Sequence, residues 1–111
     1  MDETQRRKAA NEAVFREVNE RIEALHRRFE LKADEPLSIV CECDRIGCLE
    51  RLEVMVSVYE RARADSACFF VYPGHDDPSV ESVVEMGPNY SIVRKHPGEP
   101  QRIAADSDPR S

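Results

Sequence analysis

The chain has 111 residues, 34% charged and 41% hydrophobic, enough for one small soluble domain and too few for most multidomain enzymes. Only 6% of residues are aromatic and Trp is absent, so the core is modest and help from a metal or a partner is in keeping with the size. Sixteen basic against twenty-two acidic side chains leave a net charge of -6, which opposes nonspecific attraction to nucleic acid or to an anionic membrane. The acidity belongs to the body: residues 1–32 hold eight basic and seven acidic side chains, residues 33–111 eight and fifteen.

The first segment reads as one helix, residues 1–33. Phe15, Val18, Ile22, Leu25 and Phe29 recur at alternating spacings of three and four, and no Gly or Pro interrupts them. Glu12 with Arg16, Glu17 with Arg21 and Glu23 with Arg27 stand four apart, acid first, the favourable order on a solvated helix face. The apolar seam covers about two heptads, short of a coiled coil, and is expected to pack on its own domain, pair with a second copy or dock on another protein.

Asp34-Glu35-Pro36 breaks the helix. Leu37, Ile39 and Cys41 then alternate with polar or smaller residues as a strand does, and Leu52, Val54 and Val56 predict a second strand, so residues 37–56 read as a hairpin with cysteines at its tip. Ser57 and Glu60 have the spacing of a capping box, predicting a short helix to about Ala64. Residues 68–72 are β-prone, and Pro73-Gly74 turns the chain just before His75. Asp77-Pro78 reads as the start of a second short helix carrying Val80, Val83 and Val84, ended by Gly87-Pro88-Asn89. Tyr90 to Lys95 alternate as a last strand, and residues 97–111 read as a flexible polar tail with a helical turn at most around Ile103.

Four cysteines carry the chemistry. No long apolar run or basic leader precedes them, so a cytoplasmic setting with reduced thiols is expected, favouring metal or redox chemistry over structural disulfides. Cys41, Cys43 and Cys48 form C-x-C-x4-C around Gly47, three soft donors that can converge on one zinc ion. A tetrahedral site needs a fourth donor, for which His75, Cys68, His26 and His96 are candidates. His75 stands at a strand-end turn, whereas Cys68 belongs more naturally inside its strand.

Asn11 to Ile22 (NEAVFREVNERI), Val40 to Cys48 (VCECDRIGC), Phe70 to Pro78 (FVYPGHDDP) and the strand from Tyr90 to Lys95 together resemble a group of short uncharacterised proteins, mainly actinobacterial. The resemblance spans most of residues 10–95. It implies a shared metal centre on Cys41, Cys43, Cys48 and His75 and brings no activity. The C-x-C-x4-C spacing alone is also similar to the zinc segment that follows many SET methyltransferase domains, but nothing else in the chain looks like one.

Other chemistries find little support. With four glycines the chain has no phosphate-cradling loop, and Gly-x-Ser-x-Gly and His-Glu-x-x-His are absent. Asp76, Asp77, Glu42 and Asp44 read as a helix cap and a solvated loop rather than a catalytic carboxylate pair. No small-molecule substrate is evident.

The sequence therefore predicts an α+β fold: a long N-terminal amphipathic helix, residues 1–33; a zinc-stabilised domain, residues 34–96, with a small mostly antiparallel sheet and two short helices; and a tail, residues 97–111. The expected function is a non-enzymatic interaction or regulatory module that dimerises or docks on a protein partner through Phe15, Val18, Ile22, Leu25 and Phe29. The alternative is a thiol-based redox or metal sensor that releases zinc on oxidation.

Overall fold

The computed structural model describes residues 2–29 and 35–110. Helix α1 spans Glu3–Arg28. Asp2 caps it, accepting from the Gln5 backbone N–H while the Gln5 side chain accepts from the Asp2 N–H, a reciprocal capping box. The break expected at Asp34 falls partly outside the described residues. Strands β1 (Pro36–Val40) and β2 (Arg51–Met55) form an antiparallel hairpin in which Leu37 faces Val54 and Ile39 faces Leu52.

Helix α2 (Val56–Arg63) follows β2 without a linker, so its N-cap is Met55 and no side chain caps it. The expected Ser57–Glu60 box therefore does not form. The Val56 N–H is instead satisfied by the Glu35 carbonyl at 3.2 Å, which relieves the need for a hydroxyl cap. Strands β3 (Cys68–Val71), β4 (Glu81–Met86) and β5 (Ser91–Lys95) make a second antiparallel sheet in the order β3-β5-β4.

Residues 81–86 correct the helix expected after Asp77-Pro78. The register against β5 shifts between Val83 and Glu85, so one residue bulges and the period-two alternation that marks a strand is lost. Val80, Val83 and Val84 then mimic helical spacing. Asp77 does cap, but it caps a turn: its carboxylate accepts from the Ser79 N–H and hydroxyl, and its carbonyl from the Val80 and Glu81 N–H groups.

The second short helix lies instead at α3 (Glu99–Asp106), within the segment expected to be a flexible tail. Ala104 is buried, the α3 carbonyl at that residue accepts from Arg16 of α1, and Arg110 bridges Glu20 and Glu60. Polar groups attach this segment, and a search for apolar periodicity passes over them.

The core lies between the two sheets and α2. Leu37, Ile39, Leu52 and Val54 of the hairpin pack with Tyr59, Phe70, Tyr90 and Ile92, and the Tyr59 and Phe70 rings stack 5.5 Å apart. A second cluster joins Cys41 and Cys43 to Phe69, Val71, Val93 and Ala104. The two sheets meet where the Glu42 N–H donates to the Phe70 carbonyl at 2.8 Å.

α1 docks on this body with an unexpected face. Its buried residues are Glu12, Arg16, Asn19 and Glu23. Phe15, Val18 and Ile22 each sit one position earlier in sequence than a buried polar residue, a rotation of about 100°. Phe15 and Ile22 are half-buried, Ile22 against the core, while Val18, Leu25 and Phe29 are exposed together with Val14.

Candidate metal centre

The hairpin ladder continues past β1, with the Cys41 N–H donating to the Glu50 carbonyl at 2.9 Å. The chain then turns tightly: the Cys48 N–H reaches the Arg45 carbonyl at 3.1 Å, and Gly47 takes φ +85°, a left-handed conformation that suits glycine. This turn folds Cys48 back toward Cys41 and Cys43. After β3, the Tyr72 carbonyl accepts from the His75 N–H at 2.9 Å, with Gly74 at φ +88°. Pro at the second position and a positive-φ Gly at the third are what a type II turn requires. Arg45 donates to the Gly74 carbonyl at 3.1 Å and ties the two turns together.

These two turns bring Cys41, Cys43, Cys48 and His75 together, with their donor atoms all within 4.8 Å of one another. His75 Nδ1 lies 3.7 Å from Cys41 Sγ and 3.5 Å from Cys48 Sγ. Zinc–sulfur and zinc–nitrogen bonds of about 2.3 and 2.05 Å at the tetrahedral angle separate S from N by about 3.6 Å. These two spacings match a tetrahedral metal site, and the cluster as a whole could hold one metal ion. Cys68 stays in β3 opposite Arg94 and is outside the cluster.

The charge balance fits as well. Burial pushes the Cys41 and Cys43 thiols well up, so isolated thiolates are disfavoured there. A divalent cation reverses that preference. Backbone N–H groups already point at the sulfurs, Tyr72 at Cys41 Sγ across 3.1 Å and Arg45 at Cys43. Four protein donors are the number a tetrahedral site takes.

Glu42, between the two cysteines, was expected in a solvated loop and is instead fully buried. Its carboxylate accepts from Asn19 at 2.6 Å, from the Phe70 N–H at 3.0 Å and from Arg63. Arg63, also buried, donates to the Cys68 carbonyl at 3.1 Å, and its guanidinium lies 4.8 Å and 5.3 Å from the Tyr59 and Phe70 ring centres. Alternation supplies this placement: if Cys41 and Cys43 face the metal, the residue between them faces the other way. Asp44 is half-buried and pairs with Lys8 at 3.7 Å, again away from open solvent.

Asn19 completes the support. Its amide donates to the Val40 carbonyl and accepts from the Val40 N–H, both at 2.8 Å, standing in for a neighbouring strand at the free edge of β1. Arg16 donates to the Ser66 and Ala104 carbonyls at 2.8 and 2.7 Å while lying over the Phe69 ring. Neither residue carries a sequence signal for burial, since each reads as the solvated face of an amphipathic helix.

Among the described residues, no helix is long and apolar enough to cross a membrane. No protein-family model matches the chain, and no solved structure does. Over 61 residues the chain is 31% identical to pyruvate decarboxylase 3 of rice, in both the indica and japonica subspecies. That stretch is 55% of this chain but spans only 10% of the length of the rice protein.

Proposed function

We propose that one zinc ion on Cys41, Cys43, Cys48 and His75 is structural, and that the protein is a non-enzymatic interaction module. The closed set of four protein donors supports the structural role, because catalytic zinc keeps a position for water or substrate. The reading places the protein in the cytoplasm, where the thiols stay reduced.

The observation that carries the interaction role is the apolar stripe left on α1. Val14, Val18, Leu25 and Phe29 are 56%, 37%, 52% and 75% exposed on a helix whose opposite side is anchored by buried hydrogen bonds. The stripe is thus held rigidly outward, ready for a second copy or for a protein partner. Sedimentation of the zinc-loaded full chain, alone and with Val18→Asp plus Leu25→Asp, tests it. Association that disappears in the variant while zinc stays at one per chain supports the reading. A wild-type chain that sediments as a monomer at every concentration removes the homodimer. Ile22 is left untouched because it packs on the core.

A second reading, a thiol-based sensor, is favoured by one observation: Cys48 and His75 are only half-buried, so an oxidant reaches one edge of the cluster. Zinc release at a peroxide dose that spares an ordinary zinc–cysteine protein supports the sensor. Equal resistance supports the module.

A further inference from the structure

Away from the cysteines, α1, α3 and the turn before β4 enclose a cavity of about 190 Å³. Its apolar wall comes from Phe69, Val80 and Ile103, while Glu12 and Lys95 supply charge. Both charged residues are buried, at 7% and 5% exposure. Lys95 Nζ donates to Glu12 Oε2 at 2.6 Å and to Glu81 Oε1 at 2.7 Å, so two carboxylates surround its single positive charge. Lys8 at the rim is likewise engaged, by Asp44. Asp77 and Glu99 add two more acids to the lining.

The lining therefore holds four acids to two lysines, an excess of negative charge. Glu12 spends only Oε2 on Lys95; its Oε1 has no hydrogen-bond partner among the described residues. That oxygen is not among the buried orphaned atoms, so an N–H donor entering the cavity can reach it and form a charge-assisted hydrogen bond. The neighbouring apolar wall suits a short hydrocarbon stem, and a concave apolar site with few convergent polar groups is the usual form of a small-ligand pocket.

We propose that this cavity binds a small primary alkylammonium ion, its head donating to Glu12 Oε1 and its stem lying against Phe69, Val80 and Ile103. Lys95 holds the Glu12 carboxylate in place and offsets part of the acid excess. The site adjoins the metal centre without sharing a donor: Asp44 of its lining follows Cys43, and Phe69 packs in the cluster that holds Cys41 and Cys43.

The test is an amide NMR titration of the zinc-loaded full chain at pH 8, above the value of about 7 to which burial raises Glu12, with n-butylammonium, using butyrate as the anion of similar size and tetramethylammonium as a cation without N–H donors. Saturable shifts at Ala9, Val80 and Ile103 with butylammonium, and not with the other two, are expected. Glu12→Gln should weaken binding at least tenfold. Should that variant fail to fold, Ile103→Trp, which fills the cavity and leaves every charge in place, should weaken it at least tenfold with zinc content unchanged. Absence of saturation, equal binding of butyrate or tetramethylammonium, or undiminished binding in either folded variant overturns the proposal.

Discussion

The cysteine turn and the underside of α1 hold the same small body by opposite means. At the turn, four donors from two short segments converge on one point, within 4.8 Å of each other. Under α1, Arg16, Asn19 and Glu12 disperse their hydrogen bonds over backbone groups, Glu42, Lys95 and Ser107, at partners 21 to 91 residues away. A convergent device of this kind is all or none, whereas a dispersed one fails in parts. The two meet at Glu42, whose sequence neighbours are donors and whose carboxylate belongs to the α1 side.

Breaking the convergent side should have the largest effect. Cys43→Ser, or zinc removal by a chelator, is expected to abolish cooperative thermal unfolding, since structural zinc contributes on the order of 10 kcal/mol and binding is shared with folding. Circular dichroism melts with and without chelator check this. A chain that unfolds unchanged after metal removal would mean that the polar underside suffices alone. Cys68→Ser, outside the cluster, should keep its zinc and lose only packing in β3.

The next effect lies at the junction. Arg63→Met should cost about 3–5 kcal/mol because it strands a buried Glu42 carboxylate, and Arg63→Met with Glu42→Leu should recover much of that loss. Chemical denaturation paired with zinc analysis reads both sides at once. If Arg63→Met also halves the zinc content, the two devices act as one unit; if zinc is unchanged, they are separable. Smaller still, Asn19→Ala should cost about 1–3 kcal/mol by leaving the Val40 edge unsatisfied in a buried place.

The same contrast explains what could be read in advance. Cys41, Cys43, Cys48 and the Pro73-Gly74-His75 turn are local patterns, and their chemistry follows from residue type and spacing. The hairpin and the strands β3 and β5 are local in the same sense, carrying alternation or β-prone runs. β4 was hidden by its bulge, and α3 by attachment through Arg16 and Arg110 rather than through an apolar stripe. The polar face of α1 is the least legible part. The spacing of Phe15, Val18, Ile22, Leu25 and Phe29 marks a seam for its own domain, a second copy or a partner, and the face beside it reads as solvated, yet the body offers α1 a strand edge and a buried acid, which polar side chains satisfy. Part of the apolar seam is consequently left outside, and the helix reads as solvated where it is in fact pinned.

The smallest expected effect tests whether the dispersed side also carries a proton. Glu23 is buried on α1, and burial, then the hydrogen bond and charge of Glu60, raise its carboxyl to about 7. Arg27 opposes this at 3.0 Å but is itself exposed, so its influence is screened. The folded chain therefore keeps a proton that the unfolded chain releases from about pH 4.5 upward. Its contribution is fully present below that value and is lost as pH rises toward 7, with a slope of at most about 1.4 kcal/mol per pH unit. Glu12, raised to about 7 chiefly by burial, acts with the same sign. The metal acts with the opposite sign, since acid protonates the thiolates and His75 and weakens zinc binding. Total stability thus hides the effect, and the difference between wild type and Glu23→Gln, each zinc-loaded, exposes it. The amide keeps a donor toward Glu60 without titrating, so the variant should gain relative to wild type by a growing margin between pH 4.5 and 7. Parallel stability curves across that window would show that no proton is held between Glu23 and Glu60, leaving the underside of α1 joined by hydrogen bonds and fixed charges alone.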